Sequence, residues 1–241
     1  MADVDLSFSR LQSFQRCPWL YHLVFDEGWR SGPTGSSALG KSLHEALAKF
    51  LEDSNTDRSM SRLHETFDEV WVNEGFAGPQ ETFQAYESGR TMLENFWKID
   101  QYRTSKVLFT EKGFGFDWNG IHIQGSLDRV DQASDGVYEI VEYKTRGDHW
   151  TRERIEKDLQ MTFYWWGVEE GLGLKPVRLK FYFLSSGESI VANRDESHRQ
   201  DLQQRLLNMA EKVRLKDFTP NHAHCSYCEI GKRCTNFKKE L

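Results

Sequence analysis

The sequence predicts an α/β protein in which helices flank one mixed β-sheet. Apolar and aromatic residues recur at helical spacing over residues 6–25 and 41–51, ahead of any strand pattern. Three β-rich runs follow at residues 107–116, 121–130 and 137–145. Helices first and strands later, with further helices among the last strands, are typical of layers packed around a single sheet.

The first helical region should break near Cys17-Pro18, because proline has no backbone N–H and suits the first turn of a helix. Ser7 or Ser9 is the expected N-cap of the helix before that break. Residues 28–40 are rich in Gly and Ser and are expected to form a loop.

Residues 52–102 carry no chemical motif and are predicted to be a helical insertion, interrupted by Gly and Pro at residues 75–79. After them, Asn119-Gly120 predicts a tight hairpin between the first two strands. The remaining periodic segments are two helices and two strands, expected at residues 155–170, 196–216, 177–184 and 189–193.

The composition predicts a single folded domain over residues 1–241, with a cysteine-bearing tail at residues 218–241. Hydrophobic residues make up 38% and charged residues 28%, which excludes a disordered chain. The N-terminus is acidic and no apolar run is long enough to span a bilayer, so we expect a cytoplasmic protein. A net charge of −6 argues against coating nucleic acid by bulk electrostatics, so any DNA path must be a local basic stripe.

The clearest chemical signal is a set of carboxylates and a lysine on two neighbouring predicted strands. Glu142 and Lys144 are two residues apart and project from one face, and strand pairing can bring Asp128 opposite Glu142. Carboxylates can hold a divalent ion for phosphodiester cleavage, and a lysine beside them can orient water and stabilise developing charge. Taken alone, most residue sets of this kind are solvated cross-strand ion pairs.

With its flanks, this set resembles the PD-(D/E)XK nuclease superfamily, in the RecB-like branch that includes the RecB and AddB nuclease domains and CRISPR-associated RecB-like exonucleases. Five segments carry the resemblance, in the family's order: residues 6–11 leading to Cys17-Pro18, 40–44, 125–131, 140–145, and the pair Gln160 and Tyr164. The similarity runs from residue 6 to residue 234 and covers residues 52–102 poorly. It implies a restriction-endonuclease-like core with a central mixed β-sheet flanked by helices.

The resemblance also implies a site for Mg²⁺ or Mn²⁺. Its ligands would be His44, Asp128, Glu142 and the backbone carbonyl of Tyr143. Glu111, on the strand before Asp128, is a weaker candidate for an accessory carboxylate. Without the family context, a lone histidine such as His44 on a helix is more often structural than a metal ligand.

By the same resemblance, Lys144 would be the catalytic lysine, acting with Asp128 and Glu142. Gln160 and Tyr164 would position the substrate or the groups around the metal. They are four residues apart and therefore share one face of a helix. An ordinary amphipathic helix with one polar residue at its edge would show the same spacing.

The sequence has four cysteines: Cys17, Cys225, Cys228 and Cys234. In a cytoplasmic protein, four thiols suit a zinc site or an iron–sulfur cubane better than disulfides. His222 and His224 lie beside Cys225, so zinc stays open as an alternative. One remote cysteine and three late ones resemble the [4Fe–4S] arrangement of AddB and the CRISPR-associated exonucleases. That likeness implies a cluster joining the N- and C-terminal segments.

The leading interpretation is a metal-dependent DNA nuclease, an exonuclease on single strands or DNA ends, in CRISPR adaptation or in recombination and repair. The implied partners are DNA and either a CRISPR integrase complex or a helicase or recombination complex. Trp150, Trp165 and Trp166 are candidates to stack on bases, although each fits a core as well. Two alternatives stay open: a catalytically weak DNA-binding module of a larger complex, and a zinc-stabilised interaction protein.

Overall fold

The computed structural model describes residues 3–52, 57–175 and 177–236. Parts of the predicted insertion (53–56) and of the predicted tail (237–241) therefore lie outside the described residues. The chain divides into two compact units. The first contains residues 1–32, 115–125 and 195–241, and the second contains residues 33–114 and 126–194.

The described chain is an α/β protein. Its helices are α1 (Phe8–Arg16), α2 (Pro18–Tyr21), α3 (Gly35–Glu52), α4 (Met60–Val70), α5 (Pro79–Asp100), α6 (Arg152–Lys157), α7 (Leu159–Gly171) and α8 (Glu196–Arg214). Its strands are β1 (Val4–Leu6), β2 (Lys106–Trp118), β3 (Ile121–Gln132), β4 (Tyr138–Lys144), β5 (Val177–Phe183) and β6 (Ser189–Ala192). None of the helices within the described ranges combines the length and apolar composition that a membrane crossing requires.

The second unit has a mixed sheet, as the sequence predicts. Strand β4 pairs antiparallel with β3 and parallel with β5, and β5 pairs antiparallel with β6. Arg129 lies opposite Val141 in this register, so the next step of the ladder sets Asp128 opposite Glu142. The register therefore brings the predicted carboxylates of two strands to the same place.

Helices α3, α4 and α5 share one hydrophobic core with strands β4 and β5. Its buried members from the helices include Leu43, Leu47, Phe67 and Phe96, and Tyr143 represents β4. The described part of residues 52–102 contains α4 and α5 with a non-helical segment between them, and these two helices complete the core beside the sheet. Helix α7 packs on β5, so the sheet of this unit is flanked by helices.

In the first unit, β1 pairs parallel with the start of β3, a strand that the sequence pattern did not predict. The predicted N-cap of α1 is confirmed, because Ser7 accepts a hydrogen bond from the Arg10 backbone N–H at 3.3 Å. The break at Cys17 and the start of α2 at Pro18 are confirmed as well. The tail forms two short 3₁₀ turns rather than a wholly irregular segment.

Two predicted boundaries in the second unit are wrong. Helix α3 begins at Gly35, inside the predicted loop at 28–40, where the Thr34 hydroxyl accepts from the Ser37 N–H at 3.2 Å and caps the first turn. The single helix predicted at 155–170 is two helices. Asp158 separates them, and its carboxylate caps α7 by accepting from the Met161 N–H.

Candidate active site

His44 and Asp128 meet in the second unit. His44 lies at the edge of the buried stripe of α3, and Asp128 lies on β3 next to the buried Leu127. The His44 Nδ1 atom is 3.1 Å from Asp128 Oδ1, and Asp128 Oδ2 accepts from the Tyr143 backbone N–H at 2.8 Å. Each carboxylate oxygen of Asp128 therefore has its own partner, His44 or the Tyr143 backbone N–H, and both partners are distant from Asp128 in the sequence.

Glu142, Lys144 and Gln160 form a closed hydrogen-bonded set. Lys144 Nζ donates to Glu142 Oε1 and to Gln160 Oε1, both at 2.8 Å. The Gln160 amide group donates to Glu142 Oε1 and to the Tyr164 hydroxyl, both at 2.9 Å. Gln160 and Tyr164 thus reach this set from α7, as their spacing predicts. The second carboxylate oxygen of Glu142 is buried and has no protein hydrogen-bond partner.

Glu111 lies beside His44 and Asp128. Ligand atoms of these three residues all lie within 4.8 Å of one another, and among the described residues no other group of three His, Cys, Asp or Glu side chains meets that limit. Glu111 has a φ of 44°, a left-handed conformation that is rare for a residue with a side chain within a strand. Sequence spacing alone gave no strong reason to place Glu111 at this point.

The pKa values of these groups are shifted because several carboxylates lie close together in a partly buried site. Burial, and then the charge of Asp128, raise the pKa of Glu142 to about 8, although Lys144 opposes the change. The same two causes raise the pKa of Glu111. Burial lowers the pKa of His44, but the hydrogen bond and charge of Asp128 outweigh it, so the net direction is upward. The arrangement therefore favours a bound cation, which would offset the carboxylate charge.

A buried ionic network lies behind Tyr143, and the sequence analysis missed it. Arg129 donates to both carboxylate oxygens of Asp131 (2.7 and 2.6 Å), to Asp100 (3.0 Å) and to the Tyr143 hydroxyl (3.1 Å). Residues 129 and 131 point away from the face of Asp128, because side chains alternate along a strand. The alternation of charged residues at 128, 129 and 131 was the available signal for two separate polar clusters.

The three tryptophans considered for base stacking have different surroundings. Trp166 is only 2% exposed and belongs to the core. Trp165 is half-buried and donates its indole N–H to Glu169. Trp150 faces the candidate site, because Lys144 Nζ lies 5.2 Å from its ring centroid.

In the first unit, all four cysteines line one cavity of about 320 Å³. Apolar side chains, among them Trp19, Leu20 and Ile230, form part of its wall, and polar residues that include Asn221 and His224 also line it. The Asn221 backbone N–H donates to Cys17 Sγ at 3.3 Å. Folding therefore brings the N-terminal cysteine to the three in the tail, and no three of the four thiols lie within 4.8 Å of one another.

Comparisons with known proteins identify the family of this chain. A family model, described as the PD-(D/E)XK nuclease superfamily, matches residues 5–235. No curated protein sequence shows significant similarity to the chain.

Solved structures show similarity at the level of the fold. A protein of Eubacterium rectale described as a candidate exonuclease is 13% identical and superposes with a TM-score of 0.59, covering 98% of this chain and 90% of its own. A second protein, SSO0001, is 14% identical and covers 83% of this chain and 86% of its own. Its TM-score of 0.41 is too low to support an argument.

Proposed function

Because this chain belongs to the PD-(D/E)XK nuclease superfamily, we propose that it is a divalent-metal-dependent deoxyribonuclease. One observation carries the proposal: His44, Glu111 and Asp128 form a candidate metal-binding group on one side of Tyr143, and Glu142 and Lys144 are hydrogen-bonded beside it. Family membership supplies the reaction class, and these residues supply the chemistry that hydrolysis of a phosphodiester requires.

The side chains fit a divalent cation of the Mg²⁺ or Mn²⁺ type. Such ions prefer carboxylate oxygens, and a histidine nitrogen tilts a mixed site toward Mn²⁺. His44, Glu111 and Asp128 would hold the ion. The Glu142 oxygen that has no protein hydrogen-bond partner is a further candidate metal ligand. We retain the prediction that Glu142 and the Tyr143 carbonyl are ligands. When bound, the ion supplies positive charge that activates water and offsets charge on the phosphate.

The protein groups around that ion have separate tasks in this proposal. Lys144 directs its ammonium group toward the water and the phosphate oxygens, where negative charge develops. Gln160 holds both Lys144 and Glu142, and Tyr164 holds Gln160 in turn. Gln160 and Tyr164 are therefore positioning residues for the carboxylate and the lysine.

The decisive experiment compares Lys144→Ala with Lys157→Ala, which removes an exposed lysine that forms an ion pair with Glu153 on α6. We expect Lys144→Ala to lower the single-turnover cleavage rate by at least about 100-fold while Mn²⁺ and DNA still bind, because lysine acts on the transition state. Lys157→Ala should cleave like the wild type. Wild-type rates in purified Lys144→Ala would refute the assignment. We expect activity with both Mg²⁺ and Mn²⁺, and more with Mn²⁺.

We also propose the form of DNA that is cleaved, the pathway, the partner complex and the location of the protein. We propose an exonuclease on single strands or DNA ends, working in CRISPR adaptation or in recombination and repair, with an integrase or helicase complex as partner. A cytoplasmic location belongs to the same proposal. End-labelled single strands and duplexes, compared with closed circular DNA, separate exonuclease from endonuclease cleavage. Binding of DNA without any cleavage would favour the alternative of a DNA-binding module.

We also propose that the four cysteines hold a [4Fe–4S] cluster that staples the two chain ends. In a tetrahedral zinc site with Zn–S bonds of about 2.3 Å, the sulfurs lie roughly 3.8 Å apart. No three of these thiols lie within 4.8 Å of one another, and all four line one cavity of about 320 Å³, which favours the larger cluster. Brown colour, iron and acid-labile sulfide in anaerobic protein support the cluster, and colourless zinc protein supports the alternative.

A further inference from the structure

The segment after β4 places an aromatic ring against the proposed catalytic lysine. Lys144 Nζ lies 5.2 Å from the ring centroid of Trp150 and 5.9 Å from that of Phe181. The two rings are themselves 4.8 Å apart at a tilt of 38°. Two of the three ammonium donors are used by Glu142 and Gln160, and the group is otherwise close to aromatic surface.

The indole is held in place by the residues around it. The Trp150 backbone N–H closes a turn with the Gly147 carbonyl at 2.9 Å. A Cβ added at Gly147 would lie 3.2 Å from the Phe183 ring, so glycine lets this turn lie close on β5. The Arg154 guanidinium lies 4.3 Å from the Trp150 centroid and donates to the His149 carbonyl. The Trp150 ring is thus held in one orientation by its neighbours.

A lysine side chain has four methylene groups and no preferred direction for its charge. Here its two oxygen partners include the carboxylate of Glu142, which is also a proposed metal ligand. If Glu142 turns toward a cation, the Lys144 ammonium group loses one of its two hydrogen-bond acceptors. This loss would occur when the metal is bound and the position of the ammonium group affects the reaction. The face of an indole attracts an ammonium group and offers no lone pair that would compete for its protons.

We propose that Trp150 is a positioning residue for Lys144, holding its ammonium group against the aromatic wall while Glu142 serves the metal ion. This inference rests on the proposed nuclease function. It also reassigns Trp150, since a ring covered by Lys144, Phe181 and Arg154 is not a platform for nucleobases.

The activity test compares Trp150→Leu, Trp150→Phe and a matched control, Trp71→Leu. Trp71 packs among Phe67, Phe76 and Tyr86 in the helical core. A cation–π contact, from exposed to desolvated, corresponds to roughly a 5- to 30-fold change in equilibrium, so Trp150→Leu should slow single-turnover cleavage by about that factor. Mn²⁺ and DNA affinities should stay within about two-fold of the wild type. Trp150→Phe should recover most of the rate, and Trp71→Leu should keep it.

A second measurement does not depend on cleavage. In protein labelled with ¹³C-lysine, the ε-methylene resonance of Lys144, identified by its loss in Lys144→Ala, should be displaced upfield by the indole ring current. Trp150→Leu should remove most of that displacement, and Trp71→Leu should not. An unshifted wild-type resonance, or a Trp150→Leu rate equal to that of the wild type, overturns the inference. A wild type that never cleaves DNA defeats the proposed function, and the resonance still decides where Trp150 holds the lysine.

Discussion

Replacing the ionisable carboxyl group of Glu142 by an amide should change how the stability of the metal-free protein depends on pH. The carboxyl group has a pKa of about 8 in the folded chain, against 4.5 in its ordinary state, because burial and Asp128 disfavour its ionised form. Between those values the folded state binds more protons than the unfolded state. Stability contributed by this group is therefore full below pH 4.5 and is lost as pH rises toward 8.

The size of the effect follows from the two pKa values. At about 1.4 kcal/mol per pH unit, the difference between 4.5 and about 8 corresponds to on the order of 5 kcal/mol. This is an upper limit, because local relaxation and entry of water reduce the cost of a buried charge. Glu142→Gln keeps the shape and the acceptor oxygen for Lys144 but cannot ionise. The variant should therefore lack most of this loss of stability between pH 5 and 8.

The assay is urea unfolding at pH 5, 6, 7 and 8 with EDTA present, followed by circular dichroism and by tryptophan fluorescence. Glu45→Gln is the matched control, since Glu45 lies on α3 near the same site and forms an exposed ion pair with Lys49 at 3.8 Å. The free energy of unfolding of wild type and Glu45→Gln should fall together as pH rises, while that of Glu142→Gln falls less. Adding Mn²⁺ at pH 8 should restore the wild type, because a ligand that binds only the folded state stabilises it. Parallel pH profiles for wild type and Glu142→Gln would refute the reasoning.

Three further predictions concern the metal site, the cysteine cavity and the network behind the site. His44→Ala should weaken Mn²⁺ binding by at least about 10-fold in calorimetry; unchanged affinity would make the histidine structural. Cys17→Ala should bleach anaerobically purified protein and lower its melting temperature as much as Cys228→Ala does, because cluster binding is coupled to folding. If Cys17→Ala keeps its metal, the proposal that Cys17 is a cluster ligand is wrong. Arg129→Ala should cost about 3–5 kcal/mol of unfolding free energy by leaving the buried Asp131 carboxylate without its cation, with only the Ser105 hydroxyl still donating to it among the described residues; a loss below about 1 kcal/mol would show that water replaces the arginine.

Local patterns in the sequence were enough to predict much of this protein. The caps and breaks of the first helices depend on near neighbours, as at Ser7 and Pro18, and so does the hairpin at Asn119-Gly120, where both residues adopt positive φ. The common face of Glu142 and Lys144 follows from the period of a strand. The resemblance indicated the PD-(D/E)XK superfamily, and the family match confirms that superfamily.

Only the tertiary structure decided which distant groups share the site. Glu111 on β2 lies beside His44 and Asp128 and has a left-handed backbone conformation, and no spacing rule predicts either feature. Trp150 reaches Lys144 because a turn at Gly147 lies on β5. Periodicity specifies the face on which a residue lies within its own element. Contacts between elements depend on how whole layers pack, which is a property of many side chains together.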